Sequence, residues 1–366
     1  NGTAMSNTVQ GNLIGTYQDG SFSDPDEIPG SGDDPGNRFM GIGIENASGN
    51  QIGGATSAAR NIVAGNALGG MYVYRPGATG NQIQGNLIGL LADETPAGNG
   101  GVGVWILEGS RNLIGGTGAA TNTIAFNADV GVLIADNAIS NTLQGNAIYL
   151  NTGRPVDLDN DGFTPNDLGD ADTGANQRQN FPTILGVKDK VVTGTLSSAP
   201  NTTYRVEFFD YEVCSFARDF PVGYGDGEEY LTFKNVTTDA TGEAAFTVTL
   251  ASALPEGYTV AATATDPAGN TSEFSNSPYK LRTSSSTFAP ATVFTHTLLL
   301  YSILDEGQAS VLAGCMAAQD LYIVVNNDRA NPRKMENDGL GVINRPQADF
   351  VANDVHHSLW FTPTQN

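Results

Sequence analysis

The sequence predicts an all-β protein in two folded parts, a parallel β-helix of about four to five coils and then an antiparallel β-sandwich. Three observations lead to this prediction: a motif that repeats through the first 150 residues, short strands in step with it, and longer alternating strands after residue 183. At 366 residues the chain is long enough for more than one hydrophobic core. The predicted boundaries are 1–155 for the β-helix, 156–182 for an Asp-rich hinge, 183–280 for the sandwich, and 281–366 for a linker and unassigned tail.

The β-helix prediction depends on a motif of the form Asn-x-(Ile/Leu/Val)-x-Gly. Its starting points lie roughly 30 residues apart after a longer first interval; they are Asn7, Asn50, Asn81, Asn112 and Asn141. Each interval holds three short strands, joined by Gly- and Asn-rich turns instead of two-residue hairpin turns. Such a unit is typical of one coil of a parallel β-helix, in which coils stack about 4.8 Å apart and a repeated Asn forms a ladder of side-chain amides.

The first coil begins partway through a unit. We therefore expect the natural chain to be longer at its N-terminus, so that the β-helix in this sequence is N-terminally truncated. Without a cap, the exposed strand edges of that first coil are expected to favour end-to-end self-association.

Composition narrows the possible partners. The chain carries 39 acidic and 17 basic side chains, a formal net charge of −22. This balance argues against nucleic acid and anionic membranes, and leaves divalent cations and neutral polymers. No apolar run approaches the ~20 residues of a membrane helix, so no membrane insertion is expected. The two cysteines, Cys214 and Cys315, lie too far apart for a zinc motif, and whether they pair stays open.

The repeats resemble those of a known family. Runs such as GNQIGGATSAARNIVAGN and NTIAFNADVGVLIADNAISNTLQGNAIYLN are similar to repeats of bacterial secreted right-handed parallel β-helix proteins, including CSLREA-type members of the pectate-lyase-like superfamily. The similarity extends from about Asn7 to Asn180. It implies a right-handed helix and an extracellular or cell-surface location, with any signal peptide lying outside this chain. It implies no particular activity.

The second part reads as antiparallel strands that begin near Val191, Thr203, Glu229, Ala244 and Tyr258. Their spacing and alternation fit a sandwich of roughly 100 residues. The ending ATATDPAGNTSEFS resembles the last strands of bacterial immunoglobulin-like (Ig-like) domains, which implies a spacer or binding module on a cell surface. Beyond Leu281 the strand pattern stops. The three histidines, His296, His356 and His357, lie there in a segment without a fold assignment.

The Asp-rich hinge is a candidate calcium site. Asp157, Asp159 and Asp161, followed by Gly162, match the first half of a calcium loop, with oxygen ligands on alternate residues before a sharp turn. The second half of the loop lacks the bidentate Glu, although Asp167, Asp170 and Asp172 supply further carboxylate oxygens nearby. The candidate ligands are Asp157, Asp159, Asp161, Asp167, Asp170 and Asp172. Calcium binding and simple capping of turns by these side chains both fit the sequence.

Two classes of function fit the β-helix. In one, Tyr72, Tyr74 and Trp105 on its flank bind a polysaccharide or cell-surface glycan by stacking, in an adhesion or structural module. In the other, a lyase or glycoside hydrolase works in a groove on that flank. Its candidate catalytic residues are Glu45 and Glu108, two coils and so about 10 Å apart, with Arg111 as a base. The binding module is the favoured interpretation, and the enzyme is the alternative.

Overall fold

A computed structural model describes residues 5–22, 36–212, 225–255 and 257–275, together with four short strands nearer the C-terminus. The all-β prediction is confirmed, with 42% of the structure in strands and only 4% in helix. None of the helices in the described parts is both long and apolar enough to cross a membrane. The chain forms two compact units, Asn1–Tyr279 and Lys280–Asn366.

Fifteen strands of the first unit form three parallel sheets in which every third strand is a neighbour. This stacking of equivalent strands is that of a parallel β-helix, here called the solenoid. Sheet A holds β1 (Thr8–Val9), β4 (Gln51–Gly53), β7 (Gln82–Gln84), β10 (Leu113–Gly115) and β13 (Thr142–Gln144). Sheet B holds β2 (Leu13–Ile14), β5 (Ile62–Val63), β8 (Leu87–Ile88), β11 (Thr123–Ala125) and β14 (Ala147–Tyr149). Sheet C holds β3 (Met40–Glu45), β6 (Gly69–Tyr74), β9 (Val102–Leu107), β12 (Val132–Ala135) and β15 (Val156–Leu158).

The solenoid core consists of identical or similar aliphatic side chains stacked coil upon coil. In sheet A, Ile52 pairs with Ile83, which pairs with Ile114, and all three are buried. The repeat glycine has a steric role at the same corner. Gly85 has φ +68°, and a Cβ there would lie 2.1 Å from the carbonyl oxygen of Gly54. The motif therefore combines an inward aliphatic residue with a turn that only Gly fits.

Asparagine ladders run along all three corners, whereas the sequence predicted one. In each ladder the side-chain Nδ2 donates to the Oδ1 of the Asn one coil further on, over 2.7–3.0 Å. The first ladder is Asn7, Asn50, Asn81, Asn112 and Asn141; the second is Asn12, Asn61, Asn86, Asn122 and Asn146; the third is Asn37, Asn66, Asn99, Asn127 and Asn151. From the second coil onward these side chains are buried, and most of them also bond a backbone carbonyl.

The sandwich consists of two three-stranded antiparallel sheets packed face to face. One contains β16 (Thr183–Lys188), β17 (Val191–Ser197) and β20 (Glu243–Thr249); the other contains β18 (Thr203–Glu212), β19 (Glu229–Thr237) and β21 (Tyr258–Thr265). Their shared core includes Val192 and Phe246 from the first sheet and Val206, Phe208 and Ala262 from the second. Five of the six strands begin at or within a residue of the predicted positions, and β16 was not predicted.

The sandwich covers the C-terminal end of the solenoid. Its side chains Phe209, Tyr211 and Phe274 belong to the same buried cluster as the solenoid core, which includes Ile148. Gly227 continues sheet B as a bridge, since its N–H and carbonyl bond Ile148 over 2.9 and 2.6 Å. The two predicted parts are therefore joined by a continuous apolar core.

Acidic and amide side chains accept the backbone N–H groups that the last coil leaves unpaired. Glu207 Oε2 accepts from Gly145 at 2.8 Å, and Asp226 Oδ2 accepts from Leu150 at 3.2 Å. Glu273 Oε1 accepts from Leu158 at 3.1 Å, and its other oxygen lies 3.5 Å from Arg154. The Asp-rich segment contributes Asn176, whose Oδ1 accepts from the N–H of Asn141 and so extends the first ladder. These residues cap the solenoid.

The Asp-rich segment begins as part of the solenoid, because β15 is the last strand of sheet C. It then crosses toward the sandwich through a short 3-10 turn, Ala175–Arg178, in which Asn176, Gln177 and Arg178 have positive φ. The segment thus contacts both parts.

The second unit contains two described antiparallel pairs, β22 (Ser302–Ile303) with β23 (Ala309–Ser310) and β24 (Leu321–Val325) with β25 (Leu359–Pro363). Both cysteines and all three histidines lie outside the described residues.

The ladders generate a prediction about stability. Changing Asn112 to Ala removes the acceptor for the side chain and N–H of Asn81, and the donor to the buried carbonyl of Ala78. Because these groups are left unsatisfied in the interior, we expect the free energy of unfolding to fall by about 3 kcal/mol, measured by urea unfolding. Asn12→Ala, at the exposed end of a ladder, is the matched control, with an expected loss below about 1 kcal/mol. Equal losses in the two variants would contradict a buried ladder.

Buried carboxyl groups in the sandwich and at its junction with the solenoid generate a prediction about pH. Desolvation raises the pKa of Asp210 and Asp226 to about 6 and that of Glu273 to about 8. The folded chain then holds protons that the unfolded chain releases above pH ~4. Stability is therefore expected to fall as the pH rises from about 4 to 8. We expect Asp210→Asn to flatten the lower part of this dependence, because the Oδ1 of Asp210 is buried and no described residue bonds it. Thermal melts between pH 4 and pH 8 measure how stability depends on pH, and Asp129→Asn, at an exposed position, is the control. Stability that rises toward pH 8 would contradict protonated carboxyl groups in the folded chain.

Candidate functional site

Three aromatic rings lie together on the outer face of sheet C, and we call Tyr72, Tyr74 and Trp105 the aromatic ledge. Because side chains alternate along a strand, Tyr72 and Tyr74 on β6 share the outer face, with their ring centroids 5.2 Å apart and nearly parallel. Tyr72 is in register with Trp105 on β9, and these centroids are 5.5 Å apart. All three side chains are half-buried, so part of each ring is in contact with solvent. The structure brings the three predicted ligand-binding residues together.

Gly43 gives the ledge an open side. It is the partner of Tyr72 on the preceding coil, and a Cβ built at this position has no atom of the described residues within 4 Å. The other side is closed, because Trp105 packs against Val102, Val130 and Leu133. The Nε1 of Trp105 is buried and has no hydrogen-bond partner in the described part of the chain. A flat ligand can therefore approach Tyr72 across Gly43, whereas Trp105 is held by its packing.

The charged groups beside the ledge are mainly acidic. Glu45 follows Gly43 on the outer face and forms an ion pair with Arg75, whose Nε lies 2.7 Å from Oε1. Arg75 also stacks on Tyr74, with its guanidinium carbon 5.2 Å from the ring centroid. Glu108 makes no ion pair with any described residue. The pKa of Tyr72 is raised by burial first, and then by the nearby charges of Tyr74, Glu45 and Glu108.

The candidate catalytic residues are in part near one another. Glu45 pairs in register with Tyr74 on the next coil, and Tyr74 forms a bridge with Glu108 on the coil after that. One coil therefore lies between the two glutamates. Two coil steps correspond to about 10 Å between backbones. Arg111 lies in the following turn, exposed, and it makes no ion pair within the described part of the chain. Glu45 is engaged by Arg75, which leaves Glu108 as the unpaired carboxylate of the pair.

The first three candidate calcium ligands are not grouped around one point. Asp159 Oδ2 lies 2.8 Å from the Nε of Arg178, and Asp161 Oδ2 lies 3.0 Å from its Nη2. Asp157 is buried and accepts the N–H of Gly162, and desolvation raises its pKa to about 6. Arg178 therefore neutralises the positions that the sequence motif suggested for the cation.

The second three candidates do meet. Asp167, Asp170 and Asp172 each offer one oxygen, and the three oxygens lie within 4.8 Å of one another. Burial raises the pKa of Asp170 to about 6, although Ser198, Gln179 and the N–H of Asn180 bond its oxygens. The Oδ1 of Asp172 is buried and has no hydrogen-bond partner among the residues that the structure describes. This group, here called the Asp triad, is the arrangement of described residues that suits a hard cation such as Ca²⁺.

Two features of the site were missed from the sequence. Arg75 was not among the predicted ligand-binding residues, although its position directly after Tyr74, the last residue of β6, indicates a place beside the rings. Gly43 lies in the strand GIGIE in phase with Tyr72, and alignment of the repeats by register would have placed an empty position next to that ring.

Comparison with known proteins gives no family for this chain. None of the protein-family models matches it, and none of the curated proteins does.

Proposed function

We propose that this chain is an extracellular or cell-surface module that binds carbohydrate on the outer face of sheet C. The observation that carries the proposal is the aromatic ledge, three partly exposed rings held on adjacent strands with an open position at Gly43. Aromatic faces stack on the apolar C–H faces of sugar rings, while their polar tips and nearby side chains bond hydroxyl groups. A polysaccharide or a cell-surface glycan is the ligand class.

The stiffness of the scaffold supports binding. The ledge is held on a solenoid whose corners are fixed by buried amide ladders, so few side-chain rotamers need to be immobilised when a ligand binds. A stalk with no ligand does not require exposed rings in register on adjacent coils.

We also propose the finer features of the fold. A right-handed solenoid is supported by the strong preference of parallel crossover connections for that hand. An Ig-like domain is supported by the two packed antiparallel sheets of the sandwich. Surface display is consistent with both and with the acidic surface of the chain.

Calcium is a further part of the proposal. We infer that the Asp triad binds Ca²⁺ and thereby stabilises the segment between solenoid and sandwich. Support comes from the three converging oxygens and from the buried, unpartnered Oδ1 of Asp172. A divalent cation supplies the positive charge that these carboxylates lack, since Arg178 is engaged by Asp159 and Asp161.

The alternative is an enzyme that cleaves a polysaccharide on the same flank. Glu45 and Glu108 lie near the upper limit of the separation in inverting glycosidases, about 9.5 Å. The ion pair of Glu45 with Arg75 favours a binding surface, because a catalytic base needs a carboxylate that is free to accept a proton.

The binding proposal is tested with a panel of insoluble polysaccharides, measuring retention of the protein and release of reducing or unsaturated ends. We expect retention without products. Tyr72→Ala should weaken binding about tenfold, because a stacking face is lost. Gly43→Leu should block binding without loss of stability, since a side chain there meets only open space.

Tyr17→Ala is the matched control, because Tyr17 is an exposed tyrosine away from sheet C. Release of products that is lost in Glu108→Gln would establish the enzyme. Failure of all polysaccharides to retain the protein would contradict the proposal.

The calcium proposal is tested by thermal melts with calcium and with chelator. Calcium at one hundred times its Kd should stabilise the folded chain by about 2.7 kcal/mol, because it binds the native state only. Asp172→Asn should abolish this shift, whereas Asp161→Asn should retain it. The reverse result would assign the cation to the first half of the segment, and no calcium shift in the unmodified protein would remove the cation altogether.

A further inference from the structure

We propose that the aromatic ledge selects saccharides with protonated amino groups, such as a glucosamine polymer, over neutral and uronic acid polymers. This inference rests on the proposed function, because it concerns which carbohydrate the ledge binds. Three observations carry it: the charges at the edge of sheet C, the stacked rings beside them, and the open position at Gly43.

The edge where the strands of sheet C end is acidic on successive coils. The N–H of Arg75 donates to Leu107, and the N–H of Glu108 donates to Ala135, so Arg75, Glu108 and Asp136 follow one another up the stack. All three have positive φ, which turns the chain away from the strand at the same point of each coil. Glu108 and Asp136 therefore place two carboxylates on adjacent coils of this edge, whose backbones are about 4.8 Å apart.

The one cation in this row is already neutralised. Arg75 is bound to Glu45 at 2.7 Å, and neither Glu108 nor Asp136 makes an ion pair with a described residue. The local charge beside the rings is consequently negative. Arg111 lies in the next turn, exposed as Asp136 is, so Arg75 and Arg111 face the three carboxylates of Glu45, Glu108 and Asp136.

The rings add to the attraction for a cation. An ammonium group is attracted to the face of a Tyr or Trp ring, and Arg75 already stacks on Tyr74 in this way. Tyr72 has its open side toward Gly43, within the field of Glu45 and Glu108. An amino sugar that stacks on Tyr72 thus meets a ring face and carboxylates together, whereas a uronic acid brings a carboxylate toward others of the same sign.

The experiment compares hexasaccharides of glucosamine, N-acetylglucosamine and galacturonic acid by isothermal titration calorimetry at about pH 5.5, where amines are protonated. We expect the glucosamine hexamer to bind about tenfold more tightly than the N-acetylated hexamer, and the uronate hexamer to bind least. In Glu108→Gln the preference for glucosamine should fall severalfold, with binding of the neutral hexamer unchanged.

Two further variants separate the ledge from the overall charge of the chain. Arg75→Gln releases Glu45 and should increase the preference for glucosamine, a gain that damage to the fold does not produce. Asp189→Asn removes one exposed charge in the turn between β16 and β17 of the sandwich and should leave the preference unchanged. A fall in Asp189→Asn as large as that in Glu108→Gln would overturn the inference.

The failure of this inference differs from that of the proposed function. Equal binding of the neutral and amino hexamers, or tightest binding of the uronate, overturns amino-sugar selection and leaves carbohydrate binding intact. Binding of none of the three hexamers, together with no retention on the polysaccharide panel, overturns both.

Discussion

The buried asparagine ladders are the interaction on which the rest of this structure depends. An amide in the interior must satisfy two donors and an acceptor, and in the solenoid the coils above and below supply these partners. Sliding one coil by a single residue would separate the amides at three corners at once. The ladders therefore fix the register of the sheets, and through it the positions that share a row on the outer face. The third ladder joins Asn37, Asn66 and Asn99 just before the strands of sheet C. It thereby keeps Gly43, Tyr72 and Trp105 in register as neighbours on the outer face.

The last coil of the solenoid has backbone N–H groups that no further coil accepts. Without a cap these groups would need water as their partner, and water would then contact the apolar core. Side chains from four later segments accept these groups. They are Asn176 from the Asp-rich segment, Glu207 from β18, Asp226 from the approach to β19, and Glu273 from the segment after β21. Because carboxylates are the acceptors, they become desolvated and their pKa values rise. A stable end to the solenoid is thus coupled to the protonation of the junction.

The sequence was informative where structure is local or periodic. The Asn-x-(Ile/Leu/Val)-x-Gly motif predicted the coils of sheet A, and alternation predicted five sandwich strands to within a residue or so. The other two ladders could also have been predicted, since Asn61 and Asn66 flank the run IVAG, but only one phase of the repeat was interpreted as a ladder. The pairing of Arg178 with Asp159 and Asp161, and the capping by Glu207 and Glu273, join residues far apart in sequence without a repeat to align them. The candidate calcium ligands fall into two groups for this reason. Asp159 and Asp161, which match the calcium-loop motif, pair with Arg178. The Asp triad, which matches no motif, has the converging oxygens.

The rigidity of the ladders bears on the choice between binding and catalysis. Since Glu45 and Glu108 belong to coils whose spacing the ladders fix, they cannot approach one another as a ligand enters. Arg75 lies between them in the stack and holds Glu45, so a substrate would first have to displace an ion pair. Stacking has the opposite requirement, because rings held at a fixed separation lose little entropy when they contact a sugar. The same constraint that weakens the outer face as a catalytic groove therefore strengthens it as a surface for carbohydrate.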